Sequence, residues 1–222
     1  MPAQKLAVDA QFPFLLWHLD LEDPAFDLAL DALSEYERRK AASFAFERDR
    51  LRYRRTHAGL RLLLGDILNA PAAKIAIEEI SLQKPFLLDF PRLSFSISHS
   101  GSHALVAISD DTEVGVDIEV IQEIRDKQGM AKTIFTTNEQ SALALASPED
   151  ADRDFLQAWT RKEACVKAIG QGLSVPPNSF EVGIELDYKT VQIFTPQKLY
   201  RTGVQSFNVS PACSIAVAHV MP

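Results

Sequence analysis

FSISHSGSHALVAI (residues 95–108) and FNVSPACSIAVAHV (residues 207–220) align without a gap. Phe95 meets Phe207, Ser98 meets Ser210, Ser102 meets Ser214 and Ala104 meets Ala216; Ile97, Leu105 and Ile108 fall opposite Val209, Val217 and Val220. Apolar residues recur at period two on both sides of a short polar break, so each segment predicts strand, turn, strand. Each also follows an amphipathic helix closed by glycine: RLRYRRTHAGLRLLLG, ending at Gly65, and the helix in FLQAWTRKEACVKAIGQGL (155–173), ending at Gly170. The same order twice predicts a duplicated α+β unit, two similar α/β halves related by a pseudo-twofold axis. The seam falls near residues 109–113, giving halves 1–112 and 113–222, with the active site in the cleft between them, a common place for ligands.

The 222 residues are 46% hydrophobic and 24% charged, ample core material for one large domain or two small ones. The opening MPAQKLAVDAQFPFLLWHLD has an apolar patch, but acids and His18 interrupt it; it is too short for a membrane span, lacks a basic signal start, and reads as a first strand. Two cysteines, Cys165 and Cys213, make neither a disulfide framework nor a soft metal site, which suits a reduced cytoplasmic protein. Net charge is −7, yet nine cationic side chains fall between Arg38 and Arg61. One basic segment in an acidic protein suits a small phosphate-bearing ligand better than a nucleic-acid track.

In residues 155–173, Phe155, Leu156, Trp159, Val166 and Ile169 gather into one apolar stripe at 100° per residue. Glu163 falls inside that stripe and Lys167 sits one turn on along its edge. An ionised carboxylate buried without a partner costs several kcal/mol at least. An i, i+4 pair with Lys167 offsets a few tenths of that and leaves the apolar surroundings unexplained. Just past the seam, TEVGVDIEV (112–120) puts Val114, Val116, Ile118 and Val120 on one strand face and Gly115, Asp117 and Glu119 on the other. Two carboxylates about 7 Å apart along a strand repel each other and raise each other's pKa. Gly115 on their face leaves room for something to approach. A divalent cation held by Asp117, Glu119 and Glu163 answers all of this, with Lys167 reaching phosphates that the metal holds. SISHSGSH adds small donors around Gly101, suited to phosphate; Ser98 and His99, as strand neighbours, are poorly placed to form a nucleophilic pair.

With these marks in place, the chain resembles the 4′-phosphopantetheinyl transferases, in their larger surfactin-synthetase-activating form, from about residue 34 to 173. The resemblance is carried by Lys84-Pro85, FSISHSG (95–101), GVDIE (115–119) and WTRKEACVKAIGQGL (159–173). It implies transfer of the 4′-phosphopantetheine arm of coenzyme A to a serine of an apo acyl or peptidyl carrier protein, with release of adenosine 3′,5′-bisphosphate. Mg²⁺ is implied as cofactor, with Mn²⁺ able to substitute. Asp117, Glu119 and Glu163 would bind the metal, and Glu163 would be the general base. Lys167 would contact the pyrophosphate and Lys162 would neutralise charge nearby. Ser98 and His99 would grip phosphates, Lys84 and Pro85 would border adenine, and Lys40 and Arg52 would hold the 3′-phosphate. The N-terminal half would thus carry the coenzyme's phosphate and adenine contacts, the C-terminal half the acidic residues and catalytic helix. Two positions depart from the pattern: Gln83 where glycine often precedes Lys-Pro, and Ser96 where asparagine is common.

A metal-dependent nuclease also uses acidic pairs with Glu and Lys, but the net charge and lack of an extended basic surface oppose it. Intact Asp117, Glu119, Glu163 and Lys167 oppose a non-catalytic binding module. The expected partners are coenzyme A and a carrier protein, without nucleic acid or membrane, and residues 121–135 suit the carrier-facing loop. Because the duplication already supplies paired halves, a monomer is expected.

Overall fold

Alternating strands around the seam build two four-stranded antiparallel sheets in the computed structural model, which describes residues 3–8, 12–80, 84–207 and 210–222. Gln83 and residues 208–209, named above, lie outside these, as does the side chain of Leu173. The first sheet contains β1 (Ala3–Leu6), β2 (Leu15–Asp20), β5 (Leu93–Ser100) and β6 (His103–Asp110), in the order β1-β2-β6-β5. The second contains β7 (Val114–Val120), β8 (Lys189–Phe194), β9 (Leu199–Phe207) and β10 (Cys213–Val220), in the order β7-β10-β9-β8. A two-residue pair, β3 (Ile77–Glu78) with β4 (Phe86–Leu87), sits apart. The mixed α+β architecture with two similar halves is therefore present: β2-β6-β5 and β7-β10-β9 repeat one topology.

The ungapped alignment holds for the second strand of each pair and fails for the first. Ala104 faces Leu19 and Ala216 faces Asp117, as the duplication requires. Leu105, however, faces Ser98, whereas Val217 faces Gln205 rather than Ser210. The second hairpin has a longer connection, so Ser210 precedes β10 instead of lying within a strand. The N-terminal stretch also departs from expectation: it makes two antiparallel strands, with Ala3 opposite Leu19, rather than one.

Each half carries one long helix. In the first, α1 (Glu35–Ala42) leads to α2 (Glu47–Leu68). In the second, α3 (Lys127–Ile134) and α4 (Thr137–Ala144) precede α5 (Ala151–Ile169). Gly170, with φ of 68°, ends α5 as expected. The first-half helix runs through Gly65 and stops at Asn69, a residue that tolerates the left-handed conformation (φ 49°). Leu60, Leu63 and Leu64 pack α2 on one face of the first sheet, and Ala164, Cys165 and Ala168 pack α5 on one face of the second. The opposite faces meet in a shared core in which Leu16, Leu105 and Ala107 touch Val114, Val116, Ile118 and Val217. No helix among the described residues is long and apolar enough to cross a membrane.

Candidate active site

The seam closes along β5 and β7, which lie side by side without sharing a backbone ladder. Side chains take its place. Ser94 and Ser96 accept from the N–H groups of Val114 and Val116 at 3.3 and 3.1 Å, and Ser100 accepts from Val120 at 3.1 Å. Ser98 turns to donate to Asp117 Oδ1 at 2.7 Å, and Ser100 donates to Glu119 Oε2 at 2.7 Å. The first half thus meets the two strand carboxylates of the second through hydroxyl groups.

From the other side comes α5. A Cβ on Gly115 would stand 2.0 Å from the Ala164 carbonyl oxygen and 2.4 Å from Ala168 N. The room that Gly115 leaves is therefore filled by the helix itself, not by a ligand. The close approach lets Lys167 Nζ reach Asp117 Oδ1 at 2.6 Å and Ser98 Oγ at 3.0 Å. The helix also turns otherwise than its apolar stripe implies. Its sheet-facing side is the small-residue line Ala164, Cys165 and Ala168, all fully buried. Val166 and Ile169 of the apolar stripe join that core, while Trp159, Glu163 and the edge of Val166 line an apolar cavity of about 420 Å³, walled further by Phe95, Ile97, Val175 and Pro177. Glu163 is half-buried there, and among the described residues its carboxylate has no hydrogen-bond or ion-pair partner.

Charge accumulates in this groove. Burial, then Asp117, then Glu119 push the Glu163 carboxyl above the usual carboxylate range, against the pull of Lys167. Burial also raises Glu119, reinforced by Asp117 and opposed by the Ser100 hydrogen bond and Lys167. Asp117 is only 4% exposed, and its second oxygen, Oδ2, is buried with no hydrogen-bond partner among the described residues. The three carboxylates feel one another's charge: Asp117 acts on both Glu119 and Glu163, and Glu119 acts on Glu163. They do not form a ready cage: among the described residues no three His, Cys, Asp or Glu side chains stand grouped for a metal. Lys167 and Ser98 engage Asp117 Oδ1, and Ser100 engages Glu119 Oε2. A buried, unpaired carboxylate oxygen among hard anionic donors nonetheless suits a divalent cation such as Mg²⁺.

The other expected residues divide. His99 presents an open edge beside the groove; loss of surrounding water, then the positive charges of His57, Lys167 and Arg52, lower its pKa. Arg52 is thus brought near His99, while its own guanidinium stands 3.8 Å from Asp49. Lys40 is paired with Glu79 at 2.7 Å and lies over the Tyr53 ring, which stacks on His57 at 4.0 Å. Pro85 and the stem of Lys84 line the cavity, but the Lys84 ammonium is spent on Ser94 Oγ, Glu113 and the Val114 carbonyl. Burial lowers its pKa, against Glu113.

Lys162 corrects the expectation placed on it. It is fully buried behind the groove wall, 2.8 Å from Glu139 and donating to the carbonyls of Pro177 and Phe180. It cannot neutralise phosphate from there. Glu139 closes the capping box that starts α4 at Thr136 and also accepts from Val182 N. The first half repeats the device: Glu37 closes the Ser34 capping box and pairs with buried Arg61 of α2. Neither hub is singled out by the sequence reading, although Ser34-x-x-Glu37 and Thr136-x-x-Glu139 carry the capping signature.

Comparison with known proteins finds relatives of both halves. The family model for the 4′-phosphopantetheinyl transferase superfamily matches residues 113–210, and that for the 4′-phosphopantetheinyl transferase N-terminal region matches 17–111. The 4′-phosphopantetheinyl transferase ffp of Bacillus subtilis is 31% identical over 202 residues, 86% of this chain and 88% of its own. Sfp of Bacillus subtilis strain 168 is 32% identical over the same shares of each chain. HetI of Nostoc is 33% identical over 72% of this chain and 69% of its own. With both halves matched and the seam carboxylates standing beside the lysine of α5, this chain belongs to the 4′-phosphopantetheinyl transferase superfamily.

Proposed function

We propose that this enzyme transfers the 4′-phosphopantetheine arm of coenzyme A to a serine hydroxyl of an apo acyl or peptidyl carrier protein. The serine oxygen forms the new bond to phosphorus, and adenosine 3′,5′-bisphosphate leaves with the electron pair of the broken P–O bond. The single observation that carries the reading is the meeting of Asp117, Glu119, Glu163 and Lys167 beside an apolar cavity at the seam. Displacement at phosphorus by a neutral hydroxyl needs alignment, charge neutralisation and removal of one proton.

Each need has a residue in this reading. Glu163 accepts the serine proton: its carboxylate faces the cavity and, among the described residues, makes no hydrogen bond or ion pair that would occupy it. Lys167 has three donor positions, two of them used by Asp117 and Ser98, which leaves one for the pyrophosphate. Asp117, Glu119 and Glu163 would hold Mg²⁺ (or Mn²⁺), which when bound supplies charge neutralisation for the phosphates. Ser98 and His99 lie where phosphate oxygens would arrive, and Pro85 with the Lys84 stem borders the adenine end. Arg52 and Lys40 take the 3′-phosphate, Lys40 exchanging Glu79 for it. We read the enzyme as a cytoplasmic monomer whose partners are coenzyme A and a carrier protein, with neither nucleic acid nor membrane. The core shared by both sheets supports the monomer.

The test is carrier loading followed by mass spectrometry with coenzyme A and Mg²⁺. Glu163→Gln is expected to lose about 10²-fold or more of turnover while its melting temperature stays at or above that of the parent protein. Near-normal loading by that variant refutes the role of Glu163, and no loading of any apo-carrier by the parent protein refutes the transfer.

A further inference from the structure

Four serines alternate along β5, at 94, 96, 98 and 100, and all of them turn their hydroxyls to β7. Ser96 is a plain stitch, accepting from Val116 N. Ser100 makes two bonds of different kinds. It accepts from Val120 N at 3.1 Å, and that N–H can only donate. The one proton of Ser100 is therefore left for Glu119, whose Oε2 lies 2.7 Å away. The hydroxyl is itself held in place. Gly101, with φ of 60°, sits so close to β7 that a Cβ there would stand 2.7 Å from Val120 Cγ2, which presses the β5–β6 turn onto the strand that carries Glu119.

We propose that Ser100 is a positioning residue of the cation site: a hydroxyl from the first half that fixes the Glu119 carboxylate of the second for a divalent metal. This rests on the reading of Asp117, Glu119 and Glu163 as metal-holding residues. Glu119 stands on the strand, half-buried, and Ser100 is the hydrogen-bond partner it has among the described residues. Without that bond the carboxylate regains the rotamers that the bond excludes. Groups that orient a metal-holding side chain typically contribute 10–100-fold to metal affinity.

Mn²⁺ binding to the full chain with coenzyme A present, read by electron paramagnetic resonance of the free ion, tests this apart from activity. Ser100→Ala is expected to weaken Mn²⁺ binding roughly tenfold or more. Ser100→Thr, which keeps the hydroxyl, is expected to bind within about threefold of the parent, since its donor group is unchanged. Ser96→Ala removes a stitch of the same kind that touches no carboxylate, so it lowers the melting temperature without moving Mn²⁺ affinity. Should Ser100→Ala fail to fold, Ser100→Cys, nearly isosteric and a weak donor, is expected to weaken Mn²⁺ in the same direction. Parent-like Mn²⁺ affinity in Ser100→Ala or Ser100→Cys, or equal losses in Ser96→Ala and Ser100→Ala, overturns the proposal and leaves Ser100 a seam stitch. Absence of Mn²⁺ binding by the parent protein overturns the metal reading itself, and this proposal with it.

Discussion

Gly115→Ala is the smallest change that separates β7 from α5. The new Cβ would lie 2.0 Å from the Ala164 carbonyl oxygen, 2.4 Å from Ala168 N and 3.0 Å from Ala168 Cα. Ordinary contact begins near 3.4 Å, so the helix must withdraw by roughly 1.4 Å, and none of the three atoms is a side-chain end that can swing aside. Overpacking of this kind costs about 1–3 kcal/mol, here at the upper end. The lower unfolded-state entropy of alanine returns about 0.5–1 kcal/mol. A net loss of about 2 kcal/mol corresponds to about 4–8 °C in melting temperature for a chain of this size. The catalytic consequence is larger, because Lys167 and Glu163 ride on α5 while Asp117 and Glu119 ride on β7. A misplacement of about 1 Å is enough to cost about 10²-fold. Carrier loading well below the melting transition, with a thermal melt on the same sample, measures both. Gly59→Ala is the control: its Cβ would meet Leu19 Cδ1 at 2.6 Å, a side-chain end that can shift, and no seam residue rides on the contact. A Gly115→Ala protein that melts and turns over like the parent refutes the argument that glycine is there to admit the helix. One that melts lower but turns over normally refutes the argument that this contact sets the catalytic geometry.

Two further outcomes test the buried hubs. Lys162→Met, which leaves Glu139 buried without its cation, is expected to lower stability by about 3 kcal/mol or more while leaving the KM for coenzyme A unchanged below the transition; a raised KM with unchanged melting would restore the phosphate role. Glu37 is driven up by burial, but the His57 hydrogen bond, the Ser34 N–H and Arg61 overwhelm that and hold its pKa at about 2, against 4.5 for an ordinary glutamate. A depressed carboxylate stabilises the fold above the unfolded value, and the contribution is lost as pH falls toward the folded one. About 3 kcal/mol is at stake in full, and about 2 kcal/mol of it goes by pH 3. Urea unfolding at pH 7 and pH 3 should show that loss in the parent and a much smaller one in Glu37→Gln; parallel losses would refute the assignment.

How much of this was legible beforehand depends on which interaction did the deciding. Alternation alone put Asp117 and Glu119 on one face of β7, and helical spacing brought Glu163 and Lys167 to one side of α5. Local periodicity determines both. Periodicity could not say which side of α5 meets the sheet, because Ala164, Cys165 and Ala168 weigh little as hydrophobes yet are the residues small enough to admit Gly115. The same blindness misplaced Lys162: adjacent to Glu163 in sequence, it points about 100° away around the helix, toward Glu139 and not the groove. The serines of β5 were visible as an alternating run. Their partner strand was not, since a seam stitched by side chains onto a neighbouring backbone leaves no pattern in either strand alone.

The duplication explains why the carboxylates stand out. Arg61 and Lys162 each anchor a long helix to a capping-box glutamate, and each precedes a left-handed helix stop, Asn69 or Gly170, by the same interval. That correspondence sets Leu62 against Glu163. The sheet register likewise sets Leu19, opposite Ala104, against Asp117, opposite Ala216. In the first half the strand position is filled by a leucine with no exposure, packed against Leu60 and Phe26. In the second it is filled by an aspartate with one oxygen buried and, among the described residues, unpartnered. A leucine demonstrably fits this architecture, and an unsatisfied buried carboxylate oxygen costs of order 1–3 kcal/mol or more where the leucine costs nothing. Packing therefore favours the apolar residue at the strand position, and the departure in one half alone is a stability cost borne at the seam where the serines and Lys167 converge. A structural origin for Asp117 would leave that asymmetry without a cause; the chemical role proposed for it supplies one.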